Sequence, residues 1–293
     1  MKKKWTPYLL ILPIFLFICV VIVYPFGRTV INSFHFHKLN QPWKGIPFVG
    51  VKQYLNLLQD PRFLNSLLVT LIYLAISLTG MLIVGLAMAM LANYEFKFRW
   101  LFRAAILLPW AVAPVVAAQS WKFMYNPRFG IINTILRNLG LITENIYWIN
   151  DNVMAMISMS ITTIWKFTPF FALIVLGGLQ SLPDSMYKAA KIDGANAVQR
   201  FWYITFPLLK PFIYIGLLFN SLRIMNIIDI PYILTRGGPG NATEVTSLYT
   251  YRLFFKFLDF GKGSAMAVLI ALFTGLLIVF YVQKLVNYMV EGV

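Results

Sequence analysis

Long apolar runs constrain this chain more than any other feature. The stretches 63–92, which contains MLIVGLAMAM, and 8–27, which contains LLILPIFLFICVVIV, hold no charge over a length that crosses a lipid bilayer. About 20 apolar residues at 1.5 Å rise suffice for a crossing, and in lipid each backbone polar group must find its partner within the segment, so such runs become helices. Six of them are found, at approximately 8–33, 63–92, 101–125, 153–179, 208–234 and 262–284, which predicts an all-α membrane protein with one transmembrane domain over 1–293. Composition agrees: 59% of residues are hydrophobic and 12% charged, where a soluble domain carries roughly 25% charge.

The runs are not uniform. Pro109 and Pro114 interrupt the third, which is tolerable in lipid only where protein or a water-lined cavity takes up the freed carbonyls. Lys166 sits near the centre of the fourth, in Trp165-Lys166-Phe167-Thr168-Pro169-Phe170, and a charge there is expected to face the bundle interior. In the fifth, Asn220, Arg223, Asn226 and Asp229 are spaced by threes, so successive members can hydrogen-bond in a chain. That row reads equally as structural glue between helices and as the lining of a passage. The sixth opens with Gly263, Ser264, Ala265 and Ala267, small residues that permit close helix approach.

The net charge of +15 suggests nucleic acid at first sight, but the basic residues are scattered through short inter-span loops and form no polar face, so a nucleic-acid partner is not expected. The Lys2–Lys4 cluster and the Lys97–Arg103 turn lie close to span ends and place both termini in the cytoplasm. The first run is long for a signal core and has no small-x-small cleavage pattern after it, so it is read as a retained span. One cysteine, Cys19, excludes a disulfide framework, and His35 and His37 lack a third ligand type nearby, so no metal is expected. No Gly-x-x-x-x-Gly-Lys-Ser/Thr loop exists to cradle nucleotide phosphates, and there is no HExxH, intramembrane Ser–His pair or catalytic carboxylate pair. The chain is therefore not read as an enzyme, and no cofactor of its own is expected.

The stretch Ser181–Pro211 is mixed polar and apolar in an otherwise lipid-like sequence. Ser181 with Asp184 has the form of a capping pair, and a helix is expected from about Leu182 to Asp193. Gly194 then supplies a left-handed corner, and a second helix is expected over Ala195–Thr205.

The order Lys188-Ala189-Ala190, Asp193-Gly194-Ala195, then Phe201, Ile204 and Pro207, resembles the EAA loop of permease subunits in binding-protein-dependent ABC importers. Two further regions match in family order: Phe48–Tyr54 with Asp60–Phe63, similar to the first external loop of its sugar permeases, and Thr235-Arg236-Gly237-Gly238-Pro239 after the penultimate span. The resemblance, to the maltose-type subunits, implies the type I importer permease fold, with residues 181–207 as a cytoplasmic helix-turn-helix that docks on an ATPase. It implies a second homologous permease, two copies of the ATP-binding subunit, an external solute-binding protein, and a mono- or oligosaccharide as cargo, with glycerol phosphate or another polyol as the alternative. The family's usual Glu is Lys188 here, so an acceptor has become a donor at that position. The resemblance also places substrate mid-membrane, among Thr163, Lys166, Phe167 and Phe170 on one helix and Asn220, Arg223 and Asn226 on another. An ion-coupled secondary transporter using Lys166, Arg223 and Asp229 is the mechanistic rival, although no inverted repeat is seen.

Overall fold

The computed structural model describes residues 6–290; the Lys2–Lys4 cluster lies outside them. In chain order the helices are α1 (Thr6–Ile18), α2 (Tyr24–Ser33), α3 (Lys52–Leu58), α4 (Pro61–Asn93), α5 (Arg99–Ala111), α6 (Pro114–Met124) and α7 (Ile131–Asn138). There follow α8 (Asn152–Ser181), α9 (Asp184–Ile192), α10 (Ala197–Arg200), α11 (Phe206–Asn226), α12 (Asp229–Leu234), α13 (Thr246–Phe255) and α14 (Phe260–Val290). Wider π-type turns, Cys19–Val23 and Phe201–Thr205, join α1 to α2 and α10 to α11 without breaking the helical path. Among the described residues no strand forms, and β pairing is limited to the isolated bridges His35–Phe48 and Lys38–Asp259.

Five stretches are long and apolar enough to cross a membrane: Leu10–Ser33, Pro61–Asn93, Asn152–Ser181, Ala197–Asn226 and Phe260–Tyr288. The expected third span is instead a bent pair, α5 and α6 meeting at 95°. The reason is local. Val112 and Ala113 are extended, with ψ 136 and 139, as the residue before a proline favours, and Pro114 opens α6 at a position where its missing N–H costs nothing. Pro109, by contrast, is accommodated inside α5.

The chain divides into two compact units. One runs to Leu64 and includes Tyr249–Phe273; the other is Asn65–Leu248 with the chain from Thr274. In the first, Leu57, Phe63, Tyr249, Leu253, Ala265 and Met266 form the core. Asp60 there accepts from the Tyr249 hydroxyl at 2.7 Å, from Lys262 Nζ at 2.5 Å and from the Arg62 N–H at 2.9 Å.

The second unit is organised around α8, whose N-terminus is capped by Asp151 accepting from the N–H groups of Val153 and Met154. Phe171, fully buried on α8, packs between two glycines: a Cβ on Gly85 of α4 would come within 2.4 Å of its ring, and one on Gly216 of α11 within 2.6 Å. Side chains at either position would push the helices apart, so these glycines set how closely α4 and α11 approach α8. Ala89, Ala92, Ala172, Val175, Leu176, Leu209 and Ile213 complete that core.

Candidate functional site: the elbow cavity and the 184–205 element

Helix ends inside an apolar bundle leave carbonyls without partners, and this unit closes them with long basic side chains. Arg103 donates twice to Ala92 O at the end of α4, at 3.0 and 2.9 Å. Lys122 donates to Ile233 O at the end of α12, at 2.9 Å. Lys166, 2% exposed, donates to Pro109 O at 2.9 Å, to Trp110 O at 2.7 Å and to Val112 O. In an unbroken helix Trp110 O would pair with the N–H of residue 114, which is proline and has none. An ammonium at the negative end of α5 restores that partner and complements the helix dipole.

The elbow so held forms one wall of a cavity of about 700 Å³ lined by Trp110–Pro114, Lys166, Phe167, Leu222, Arg223, Asn226, Ile227 and Asp229. The opposite wall exists because α11 stops at Asn226: Ile227 is extended, with ψ 130, and α12 restarts with Asp229 in its first turn, where a carboxylate suits the positive end of the helix. The Arg223 guanidinium lies 4.9 Å from the Phe167 ring centre and 5.7 Å from that of Phe170. Cation–π contact orients it without consuming its N–H donors. Trp110 stacks on Phe170 with ring centres 6.1 Å apart and planes at 15°.

Of the path residues expected from sequence, Lys166, Phe167, Arg223 and Asn226 meet at this cavity. Phe170 stands behind it, between Trp110 and Phe219. Thr163 and Asn220 are fully buried outside its lining: the Thr163 hydroxyl pairs with Tyr73, and the Asn220 amide donates to Gly216 O at 2.9 Å. The row spaced by threes does not hydrogen-bond as a chain. Asn226, like Asn220, donates to the carbonyl four residues back, Leu222 O, at 2.8 Å, and Asp229 belongs to the next helix. Trp110 and the elbow carbonyls were not singled out in the sequence; the pair of prolines flanking Trp110 is the signal that points to them.

A second site is the connection after α8. Gly194 has φ +80, in the left-handed region. Ala195 N–H donates to Ala190 O at 2.9 Å and Gly194 N–H to Lys191 O at 3.1 Å, the paired closure of a glycine-stopped helix. The next turn starts two residues later than expected, at Ala197, because Asn196 and Gln199 form a reciprocal cap: Gln199 N–H donates to Asn196 Oδ1 at 2.9 Å and Asn196 N–H to Gln199 Oε1 at 2.8 Å. The Asn-x-x-Gln spacing was the readable signal for it. Ser181 does not cap α9; its hydroxyl turns back to Gly178 O at 2.8 Å, and α9 begins at Asp184 after Pro183. A hydrogen bond of 3.0 Å between the Tyr187 and Thr205 hydroxyls ties the two arms. Lys188, Ala189, Asp193 and Gly194 are exposed on this element; Ala190, Ala195, Phe201, Ile204 and Pro207 are half-buried. Ile192 at 85% and Tyr203 at 80% stand out as large side chains in the open.

Residues 81–290, which include the elbow cavity and the 184–205 element, match the family model of the binding-protein-dependent transport system inner membrane component. The chain belongs to this family. The permease is 38% identical over 262 residues to the sulfoquinovosyl glycerol transport system permease protein SmoG of Agrobacterium fabrum, covering 89% of this chain and 83% of that protein. It is likewise 38% identical over 262 residues to the trehalose/maltose transport system permease protein MalF of Thermococcus litoralis, covering 89% and 87%. The sn-glycerol-3-phosphate transport system permease protein UgpA of Agrobacterium fabrum matches at 32% over 98% of this chain and 97% of its own. A chain of a bacterial alginate ABC transporter, crystallised with an alginate pentasaccharide-bound periplasmic protein, superposes with a TM-score of 0.80 at 21% identity, over 96% of this permease and 93% of that chain. This is a multi-pass inner-membrane transport permease with the all-α fold of ABC importer permeases.

Proposed function

We propose that this permease carries a mono- or oligosaccharide across the cytoplasmic membrane as one of two homologous permease subunits, served by two copies of an ATP-binding subunit and an external solute-binding protein. The observation that carries the sugar reading is the 38% identity to two permeases named for sugar cargo. The elbow cavity suits that cargo, since 700 Å³ lies within the range of small-molecule sites. Arg223, Asn226 and Asp229 offer both donors and acceptors to hydroxyl groups, while the exposed Trp110 offers an apolar face to a sugar ring. ATP is bound by the partner subunit, because this chain has no phosphate-cradling loop. The 184–205 element is cytoplasmic, as are both termini, and together with Pro207 it docks on the ATPase through Lys188–Ala190, Asp193–Ala195, Phe201 and Ile204. Its exposed Ile192 and Tyr203 supply apolar surface for that contact.

A second cargo, glycerol phosphate, is supported by the 32% identity to UgpA and by Arg223 at the cavity, whose planar fork suits a phosphate. ATP hydrolysis tests the core of the reading. The purified chain alone is expected to show none; the assembled complex is expected to hydrolyse ATP faster when its binding protein is loaded with maltose. Stimulation by glycerol 3-phosphate alone would move the cargo to the second reading, and turnover by the isolated chain would end both.

A further inference from the structure

The oxygens of Pro109, Trp110 and Val112 converge on a single point, the Lys166 ammonium. All three are neutral backbone carbonyls, and they belong to the end of a helix interrupted inside the membrane. Unwound backbone and helix C-termini at membrane depth are the groups that coordinate monovalent cations in transport proteins, because carbonyl dipoles replace the ion's water. The match to the ammonium is complete in number: three N–H donors, three acceptors. An independent contact points to the same chemistry, since Nζ also stands 5.7 Å from the centre of the Phe167 ring, whose face attracts a cation.

We propose that the elbow is a monovalent-cation site whose ion is built into the chain as the Lys166 ammonium. The tether lets the permease hold its 95° break without drawing an ion from solution, so elbow geometry is independent of external K⁺ or Na⁺. The ligand this site takes is a dehydrated monovalent cation of ammonium size. A divalent ion is disfavoured because the three oxygens carry no formal charge to offset its dehydration. Lys166 is thus a positioning residue: it keeps Trp110 and the cavity wall in place. The inference rests on the elbow geometry and is independent of the cargo reading.

Chemical rescue tests it. Lys166→Ala removes the ion and leaves room for another; Lys166→Met fills the room without charge. Thermal unfolding of the full chain, in the complex in which it purifies, is followed in N-methylglucamine chloride and in methylammonium chloride at equal ionic strength. Wild type is expected to unfold at the same temperature in both. Lys166→Ala is expected to lose roughly 5–10 °C in Tm, as leaving three buried carbonyls without their charged donor implies, and to recover at least half of it, saturably, in methylammonium. Lys166→Met is expected to fall and not recover. Should Lys166→Ala fail to accumulate, its accumulation only in cells grown with methylammonium would give the same answer. The proposal is overturned if Lys166→Met unfolds like wild type, if methylammonium raises both variants equally, or if Lys166→Ala gains nothing from it in either assay.

Discussion

Asp60 closes the start of α4 and collects three donors, from Lys262, Tyr249 and the Arg62 backbone. Partial burial pushes its carboxyl up, but the hydrogen bonds from Lys262, Tyr249 and Arg62 and the Lys262 charge outweigh this and hold it below the ordinary carboxylate value. A depressed folded-state value means that the ionised form favours the folded chain above the unfolded-state pKa, and that this contribution is lost as pH falls through the folded-state value. Asp60→Asn is therefore expected to unfold at lower temperature than wild type near pH 7, with the gap closing as pH falls below about 4. A Tm difference that stays constant across that window would show that Asp60 acts by shape alone. At this scale the sequence was only partly informative. Lys166 announced itself as a charge in an apolar run, but its acceptors lie more than fifty residues away in the chain, so nothing local names them. The even spacing of Asn220, Arg223 and Asn226 suggested mutual bonding, whereas each amide takes the carbonyl four residues back that helix geometry already places beside it.

Two elements carry the functional argument, and they were legible to different degrees. The corner at Gly194 was readable because only a residue without Cβ adopts a left-handed conformation freely, and the observed φ of +80 is of that kind. The flanking caps were less so: Ser181 presents the right spacing for α9 but spends its hydroxyl on α8, while the reciprocal cap of Asn196 and Gln199 sits on the next helix, α10. Gly194→Val is expected to cost about 1–2 kcal/mol at the corner, with faster hydrogen exchange over 190–200 and reduced ATP-driven uptake, while membrane insertion is unchanged. Normal exchange and normal uptake together would remove the corner from the proposed coupling role. The α5–α6 elbow shows the complementary case. Pro114 fixes where the break falls, but the partner that meets the last carbonyls of α5 at the 95° bend is Lys166 on α8, a tertiary contact that no local pattern names.

Over the whole molecule, the apolar runs were legible because lipid leaves a chain no alternative to helices of bilayer length. Five such helices and the bent pair account for the membrane-crossing part of the described residues. The cavity was not legible, since it is made by two interruptions of helix, at 112–113 and at 227–228, that come together only in the fold. The proposed function makes this cavity part of a passage whose energy enters from outside the chain. ATP-driven uptake in proteoliposomes tests this most directly. With both permeases, the ATPase and the binding protein present, labelled maltose or glycerol 3-phosphate is expected to accumulate only when ATP is supplied on the side of the ATPase, and to stop when the ATPase is left out. Accumulation that persists without the ATPase and follows an imposed ion gradient would contradict it.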